Sequence, residues 1–314
     1  MTSTATRPIR RAAVLLTAPL LTGLLLSGCG SSSESGKDAA AADSAADTAN
    51  SAPLFDQLPD DVKQAGTIQV GSSVDYPPFE YYEEGNKLAG FEVELSQELE
   101  KQLGVTFTWN NASFDTLLPA LTTKRYDIIF GAVNDTAERE ESFDMVSYLQ
   151  SSQGFVVQTG NPTGISKVED LCGKPIAAVR GGVQPQYLEA QSKVCVDAGK
   201  KAIEVLTFDG NAAEQLAVKQ GKAAAMLENY PTAAHFAAES EGELEVVEGL
   251  QVEKRFFGMV FSKKDPELRD ALAKAWQAII DDGSYTAVLE KWHLASIGIE
   301  EATVNPVSSG VNPS

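Results

Sequence analysis

Apolar residues recur along the chain in two alternating periods, which predict strands and amphipathic helices in turn. Residues 67–71 carry a short apolar run. Residues 91–103 then place apolar side chains at every fourth position, which is the spacing of a helix with one buried face. A glycine at position 104 ends that pattern, as glycine does at many helix C-termini. We therefore predict a strand over 67–71 and a helix over 91–103.

The same alternation runs on through the chain and begins again near residue 174. Further strands are predicted at 105–109, 127–130, 174–179, 203–207, 223–227 and 256–261. Further helices are predicted at 114–123, 184–193, 212–220, 266–281 and 285–292. Such alternation is typical of a mostly parallel sheet covered by helices. We expect two α/β units, with the last helices returning to the first unit.

The first 55 residues follow a different pattern. Three arginines and no acid precede an apolar stretch at 12–26, and Leu-Ser-Gly-Cys follows at 26–29. A basic head, a short apolar run and a small-residue exit predict a secretory signal peptide over residues 1–28. The apolar run is short for a bilayer crossing. Residues 29–55 are rich in Ser, Ala and Asp, which predicts a flexible tether.

The charge of the chain narrows the choice of partners. The formal net charge is −19, and it becomes −22 once the three arginines of the signal segment are removed. Such an acidic surface argues against nucleic acid and against electrostatic docking on anionic lipid. We expect a monomer without a cofactor that touches the membrane only through an anchor. We expect no metal site, since neither His235 nor His293 lies at ligand spacing from a cysteine.

The three cysteines have two different predicted roles. The tetrapeptide that ends in Cys29 is similar to the bacterial lipoprotein signal, and this resemblance implies that the Cys29 thiol is lipidated and becomes the mature N-terminus. An ordinary cleaved signal with a chance cysteine is the alternative. Cys172 and Cys195 are then left as a pair, and an exported protein enters an oxidising setting. We predict a disulfide between them.

A series of short motifs follows in a fixed order along residues 60–296. They are Tyr-Pro-Pro-Phe at 76–79, Gly-Phe-Glu-Val-Glu-Leu at 90–95, Phe-Asp-Thr-Leu-Leu-Pro at 114–119, Tyr-Asp-Ile at 126–128, Thr-Ala-Glu-Arg at 136–139, Leu-Cys-Gly-Lys at 171–174, Gly-Lys at 221–222, Asp-Gly-Ser-Tyr at 282–285 and Lys-Trp at 291–292. In this order and spacing the chain resembles the family 3 extracellular solute-binding proteins, the polar amino acid receptors of ABC importers.

This resemblance implies an α/β, two-lobed periplasmic-binding-protein-like (type II) fold with a central ligand cleft. Two hinge strands would join the lobes, near residues 155–158 and 256–261, and their bending would close the cleft on its ligand. Lobe 1 would comprise residues 56–157 and 258–300, and lobe 2 would comprise residues 158–257. Residues 301–314 would form a C-terminal tail.

The resemblance also implies a role for Arg139. At the matching position of the family an arginine grips the ligand carboxylate, because a planar guanidinium offers two parallel donors. We expect Arg139 in a loop leading to Phe143. Without the family, a surface arginine paired with Glu138, Glu140 or Glu141 is the alternative.

Other positions are implied to line the cleft. They are the aromatic walls Tyr76 and Phe114, the hydrogen-bonding segment with Ala132, Asn134 and Thr136, and the glycine turn Gly181 and Gly182, whose N–H groups can hold a carboxylate. Core packing of the aromatic rings and a plain tight turn at the glycines are the alternatives.

The chain departs from the family pattern where the ligand's amino end would lie. Ser73 replaces the family's usual acid, Val183 replaces a hydroxyl residue, and Asn229 replaces the aspartate that commonly receives the α-ammonium. Because an amide cannot offset a positive charge, the ligand is either neutral there or held by Glu228 or Asp75. If Glu228 lies mid-strand, where adjacent residues face opposite ways, we expect that it does not reach where Asn229 reaches.

We therefore expect a solute-binding lipoprotein, exported and anchored on the outer face of the cell membrane. It would capture an amino acid or related small carboxylate and deliver it to ABC permease and ATPase subunits. One alternative is a secreted dehydratase-like enzyme on the same fold, for which Glu228 is the candidate general acid. The other alternative is a sensory module that binds the ligand without transporting it. Permease and ATPase genes adjacent to the gene of this protein would exclude that alternative.

Overall fold

The computed structural model describes residues 52–313. The predicted signal peptide, Cys29 and the tether up to residue 51 lie outside the described residues. The strands are β1 (Thr67–Ser72), β2 (Tyr81–Glu83), β3 (Lys87–Ala89), β4 (Thr106–Asn111), β5 (Ile128–Ile129), β6 (Phe143–Gln158), β7 (Pro175–Val179), β8 (Glu204–Phe208), β9 (Ala225–Asn229) and β10 (Leu244–Ser262). The helices are α1 (Asp60–Ala65), α2 (Phe91–Leu103), α3 (Phe114–Thr122), α4 (Ala137–Ser142), α5 (Gln184–Asp197), α6 (Asn211–Lys219), α7 (Tyr230–Glu239), α8 (Pro266–Asp281) and α9 (Ser284–Lys291).

One sheet of eight strands runs through both halves of the fold, in the order β4-β1-β5-β10-β6-β9-β7-β8. The strands at each end are parallel to one another, as the alternation of strands and helices predicts. The two central strands, β6 and β10, are antiparallel to each other and to their neighbours. We call β1, β4 and β5 with their helices lobe 1, and β7, β8 and β9 with their helices lobe 2.

The lobes are joined by the two long strands. Phe155 and Val156 of β6 pair with β9 in lobe 2, whereas Val260 and Phe261 of β10 pair with β5 in lobe 1. The predicted hinge segments 155–158 and 256–261 therefore lie within the sheets of opposite lobes. The crossing lies between these paired stretches, and the β6–β10 ladder shifts register there, between Val252 and Arg255. The predicted lobe limits at 157/158 and 257/258 fall inside these continuous strands.

Each lobe has its own apolar core on both faces of the sheet. In lobe 1 the rings of Tyr148 and Trp276 stack with centroids 5.0 Å apart, and Phe130 packs edge-on against both. Trp276 lies on α8, and Tyr285 of α9 donates a hydrogen bond to the Tyr148 carbonyl at 2.7 Å. The last helices therefore return to the first unit, as predicted.

The strongest sequence patterns agree with the structure most closely. Helix α2 has the predicted bounds, with Leu95 and Leu99 fully buried, and Gly104 ends it in the left-handed conformation, with a φ of 69°. Helix α8 also has its predicted bounds. The hydrophobic pattern did not predict α1, the β2–β3 hairpin, α4 or α7. The first three are too short to show a period, and the alanines of α7 give only a weak apolar stripe.

The predicted disulfide is confirmed. Cys172 and Cys195 are bonded, with their Cα atoms 5.6 Å apart and 23 residues of sequence separation. The bond ties the segment before β7 to helix α5, so it lies wholly within lobe 2. Closing a loop of this length stabilises a fold by roughly 3 kcal/mol in chain-entropy accounts.

Both ends of the described chain pack on lobe 1. The Leu54 N–H donates to the Gln102 carbonyl at 2.8 Å, so the chain joins the core just before the predicted end of the tether. At the other end, Val304 forms a β-bridge with Val146 of β6. Among residues 52–313, no helix combines the length and apolar character needed to cross a membrane.

Candidate functional site

A narrow cleft with a cavity volume of about 30 Å³ lies between the two lobes. It opens at the carboxyl ends of β1, β5, β7 and β9, where ligand sites of α/β sheets commonly form. Its lining residues are Ser73, Tyr76, Glu80, Phe114, Gly131, Ala132, Asn134, Arg139, Val179, Gly182, Val183, Gln184, Asn211, Glu228 and Asn229.

Arg139 is the cation of this cleft, and it lies on helix α4 rather than in the predicted loop. Thr136 caps the start of the helix, and its hydroxyl accepts a hydrogen bond from the Arg139 N–H at 3.2 Å. This cap makes α4 possible despite its length of six residues. Thr136 is therefore a helix cap, and it lies beside the cleft rather than in its lining.

The guanidinium of Arg139 is held by backbone carbonyls. Nη1 donates to the Asn134 carbonyl at 2.5 Å, and Nη2 donates to the Gly181 carbonyl of lobe 2 at 3.0 Å. The Phe114 ring lies 5.9 Å from the guanidinium carbon. Within residues 52–313, Arg139 has no ion-pair partner, so the alternative of pairing with Glu138, Glu140 or Glu141 does not apply. A guanidinium has five N–H donors, so the two hydrogen bonds to carbonyls leave other donors that can bind an anion.

Two pKa shifts act on the charge around Arg139. Burial lowers the pKa of Arg139 to about 10, which leaves the side chain charged at neutral pH. Asp135 is buried, and neither carboxyl oxygen has a hydrogen-bond donor among the described residues. Burial, with the neighbouring charge of Glu140, raises the pKa of Asp135 to about 8. Asp135, whose charge would act on Arg139, is therefore mostly uncharged at pH 7, and the guanidinium charge stays available.

The glycine turn of lobe 2 meets lobe 1 closely. Gly181 has a φ of 79°, and a Cβ atom there would lie 2.9 Å from the Cα atom of Asp115 in lobe 1. The N–H of Gly182 donates to the Val179 carbonyl at 3.3 Å. The turn therefore contributes the Gly181 carbonyl as an acceptor, whereas the predicted role of free N–H donors is not available at Gly182. Val183, which precedes helix α5, lines the cleft with an apolar side chain.

Tyr76 bridges the lobes at the other side of the cleft. Its hydroxyl donates to Glu228 Oε2 at 2.6 Å and accepts from Asn229 Nδ2 at 2.7 Å. The expectation that Glu228 does not reach where Asn229 reaches is wrong. Asn229 is the last residue of β9, and the chain turns into α7 there, so strand alternation no longer separates the two side chains.

A second carboxyl group stands behind Glu228. Glu214 of α6 is fully buried, and its oxygens have no hydrogen-bond donor among the described residues. Its neighbour is the carboxyl group of Glu228. Burial raises the pKa of Glu228, and burial together with the charge of Glu228 raises the pKa of Glu214 well above its ordinary value. Buried carboxyl groups in contact favour sharing a proton, so this pair carries less than two negative charges near neutral pH.

A chain of amides links the two sides of the cleft. Gln153, in the crossing region of β6, donates to Asn229 Oδ1 at 2.7 Å and to Asn134 Oδ1 at 3.3 Å. Asn134 also donates to Asn229 Oδ1 at 3.1 Å, and Gln184 donates to Gln153 Oε1 at 2.9 Å. All four side chains are buried. One hydrogen-bonded network therefore connects residues of both lobes with the region where β6 crosses between them.

The remaining predicted positions have mixed surroundings. Ser73 lines the cleft, and its hydroxyl donates to Asp75 Oδ1 at 3.1 Å. Asp75 is exposed, and its carbonyl accepts from Asn211 of lobe 2 at 3.3 Å. Ala132 lines the cleft with a φ of 50°, but its N–H donates to Glu92 Oε1 at 3.1 Å rather than facing a ligand.

Lobe 1 holds a second buried acid pair beneath the cleft. Glu80 lines the cleft and accepts from the Ser72 hydroxyl at 2.9 Å, while Glu92 accepts from the Tyr148 hydroxyl. Burial and the charge of Glu92 raise the pKa of Glu80 well above its ordinary value. Burial raises the pKa of Glu92 from 4.5 to about 7. The sequence pattern missed both acids, since Glu80 follows a loop motif and Glu92 lies on the buried face of α2.

Two lobes joined by shared strands and enclosing a polar cleft define a binding protein for a small solute. Residues 68–295 match the bacterial extracellular solute-binding proteins, family 3, and the chain belongs to that family. The predicted family and two-lobed fold are therefore confirmed.

Known relatives cover most of the chain. It is 28% identical over 249 residues to the arginine-binding protein ArgT of Corynebacterium glutamicum, covering 79% of this chain and 81% of that one. It is 28% identical over 237 residues to the L-cystine-binding protein TcyJ of Escherichia coli strain K12, covering 75% and 86%. Among solved structures, the ancestral amino acid-binding protein AncCDT-1, a precursor of cyclohexadienyl dehydratase, matches with a TM-score of 0.67 at 29% identity, covering 74% and 98%.

Gly181→Ala tests the contact between the lobes. The new Cβ meets lobe 1, and alanine is strained at this φ, so we expect a loss of about 1 kcal/mol in the free energy of unfolding and a more open protein. Gly242→Ala is the control, because Gly242 has a φ of 83° and open space around it. Small-angle X-ray scattering of the ligand-free proteins should show a larger radius of gyration for Gly181→Ala only. Equal radii would contradict the contact.

The acid pair of lobe 1 predicts a pH dependence of stability. Between pH 4.5 and about 7, Glu92 keeps its proton in the folded protein and loses it in the unfolded chain. The unfolded state then binds fewer protons, so the free energy of unfolding falls as the pH rises through this window, by about 1–3 kcal/mol. Urea denaturation at pH 5 and pH 8 should show a smaller fall for Glu92→Gln, and the wild-type fall for Glu94→Gln on the same helix. Parallel profiles for wild type and Glu92→Gln would refute this assignment.

Proposed function

We propose that this protein is an exported solute receptor that captures an amino acid, or a related small carboxylate, for an ABC importer. The observation that carries the proposal is the guanidinium of Arg139, which is charged and lies in the cleft between the lobes without an ion-pair partner among the described residues. A half-buried charge without a partner is destabilising, so a site of this kind favours a ligand that brings the opposite charge. A carboxylate matches the planar donors of arginine.

The amino end of the ligand fits the opposite side of the cleft. Glu228 lines the cleft there, beside Asn229 and the Tyr76 hydroxyl. Asn229 holds the sequence position of the family's aspartate, and the neighbouring Glu228 supplies a carboxyl group at the same place in the cleft. An α-ammonium group would favour the charged form of Glu228 and draw the shared proton off the pair. We therefore propose a ligand with both an α-carboxylate and an α-ammonium group. ArgT and TcyJ are named for binding arginine and L-cystine, which supports an amino acid as the ligand class and leaves the side chain of this ligand open.

Arg139→Ala tests the carboxylate site. A thermal-shift screen of amino acids, opines, betaines and small amines first finds the ligand, since a ligand at 100 times its dissociation constant stabilises by about 2.7 kcal/mol. Calorimetry should then show a loss of roughly 2–5 kcal/mol in binding for Arg139→Ala. Arg139→Lys should bind with intermediate affinity, because lysine lacks the planar pair of donors.

Arg125→Ala is the matched control for this test. Arg125 is exposed on lobe 1 and lies over Tyr126, outside the cleft, so its loss removes the same charge without touching the site. We expect wild-type affinity for Arg125→Ala. An unchanged affinity in Arg139→Ala would remove Arg139 from the site.

We further propose that the protein acts as a monomer, held on the outer face of the membrane by a lipid on Cys29. The Leu-Ser-Gly-Cys sequence at 26–29 supports this, and acyl chains contribute roughly 0.8 kcal/mol per buried CH₂. In cells, Cys29→Ser should move the protein from the membrane fraction into the soluble exported fraction, whereas Ser32→Ala should leave it membrane-bound. Membrane retention of Cys29→Ser would argue against lipidation at this residue.

One observation favours a second candidate, a dehydratase-like enzyme. Burial raises the pKa of Glu228, which suits a general acid that faces the cleft, and AncCDT-1 is named as a precursor of such an enzyme. Purified protein incubated with prephenate should give no aromatic product if the receptor assignment holds. Aromatisation that Glu228→Gln abolishes would establish the enzyme instead.

A further inference from the structure

The last described residues run beside the helix that carries Arg139. Residues 302–308, which we call the C-terminal strap, lie after the end of the family match at residue 295. Ser147 of β6 makes three hydrogen bonds with Thr303. Its N–H and its hydroxyl donate to the Thr303 carbonyl at 2.9 and 3.2 Å, and the Thr303 N–H donates to the Ser147 hydroxyl at 3.0 Å. Val304 continues the pairing as a β-bridge to Val146.

The strap is fixed more firmly where β6 begins. Asn305 donates its N–H to the Met145 carbonyl at 2.8 Å, and its side-chain oxygen accepts from the Met145 N–H at 2.8 Å. The Asn305 amide also donates to Asp144 Oδ1 at 2.9 Å. Asp144 is buried and pairs with Arg269 of α8. One asparagine thus joins the strap to the strand that leaves α4 and, through Asp144, to α8.

The strap then turns toward α4 itself. The N–H groups of Val307 and Ser308 donate to the two carboxylate oxygens of Glu140, at 3.0 and 2.6 Å. Glu140 is 3% exposed, and it follows Arg139 directly on the helix. Hydrogen bonds to a charged group are among the stronger ones in proteins, and both Glu140 oxygens are used.

Helix α4 depends on such outside support. A six-residue helix is too short to be stable alone, because helix nucleation is unfavourable. The Thr136 hydroxyl holds one end, and the Glu140 carboxylate is bound on the side away from the cleft. Arg139 can present its guanidinium to the cleft only while this helix keeps its place. Glu140 does not line the cleft.

We propose that the C-terminal strap positions Arg139 by binding Glu140, so that ligand affinity depends on a segment that never touches the ligand. Glu140 is then a positioning residue. The proposal rests on the proposed function of Arg139 as the carboxylate site. Its structural half, the dependence of α4 on the strap, stands without any ligand.

Hydrogen exchange in the ligand-free protein tests the structural half. Glu140→Gln loses the charge that both strap amides bind, so the amides of residues 137–142 should exchange about tenfold faster. Glu141→Gln removes the same charge from an exposed neighbour on α4 and should exchange as wild type does. Unchanged exchange at β7 in lobe 2 verifies that the variant is folded. Wild-type exchange of residues 137–142 in Glu140→Gln would overturn the proposal.

Binding of L-arginine and of L-argininamide tests the link to Arg139. Glu140→Gln should weaken L-arginine about tenfold and L-argininamide much less, because the amide lacks the carboxylate that Arg139 would hold. An equal loss for both probes would overturn the positioning role. If wild type binds neither probe, the screening ligand and its amide replace them. If no carboxylate ligand depends on Arg139, the proposed function fails, while the exchange result still decides the dependence of α4 on the strap.

Discussion

The pairing of β6 with β10 is the constraint on which the rest of the structure depends. These two strands run through both lobes, so the lobes share one hydrogen-bonded ladder instead of being connected by loose loops. The ladder fixes which strand ends face one another across the gap, and the cleft is the space that this arrangement leaves. It also places Gln153 where the chain crosses between lobes, in contact with Asn134 on one side and Asn229 on the other. Any bending of the ladder must therefore rearrange the cleft.

Burial of charge is the second theme of the cleft. The protein buries two pairs of carboxyl groups and half-buries one guanidinium at the cleft. Each acid pair is less destabilising when it keeps a proton, whereas the guanidinium keeps its charge and donates to two backbone carbonyls. The two ends of the cleft thus differ in kind. One end carries a cation, and the other carries buried acids whose pKa values are raised.

The sequence predicts these features unevenly, for physical reasons. Helix α2 has a long apolar period and a terminal glycine, so both of its ends could be predicted. The disulfide could also be predicted, because only two cysteines remain once Cys29 is set aside. Arg139 was found through its motif, but α4 is too short to show a period, and its helical state depends on distant groups. Glu214 could not be found from the pattern, because an acid on an amphipathic helix normally faces solvent. The hydrogen bonds to Glu140 join positions more than 160 residues apart, which no local pattern can show.

The disulfide has a consequence for the order in which the chain assembles. Cys172 and Cys195 both belong to the continuous stretch between β6 and β10, and lobe 2 draws β7, β8 and β9 from that stretch alone. Lobe 1 is different, because its core needs Trp276 and Tyr285 from the end of the chain. In a polypeptide that emerges from its N-terminus onward, lobe 2 has everything it needs for oxidative closure while lobe 1 still waits for its last helices. The covalent bond thus secures the lobe that is finished first.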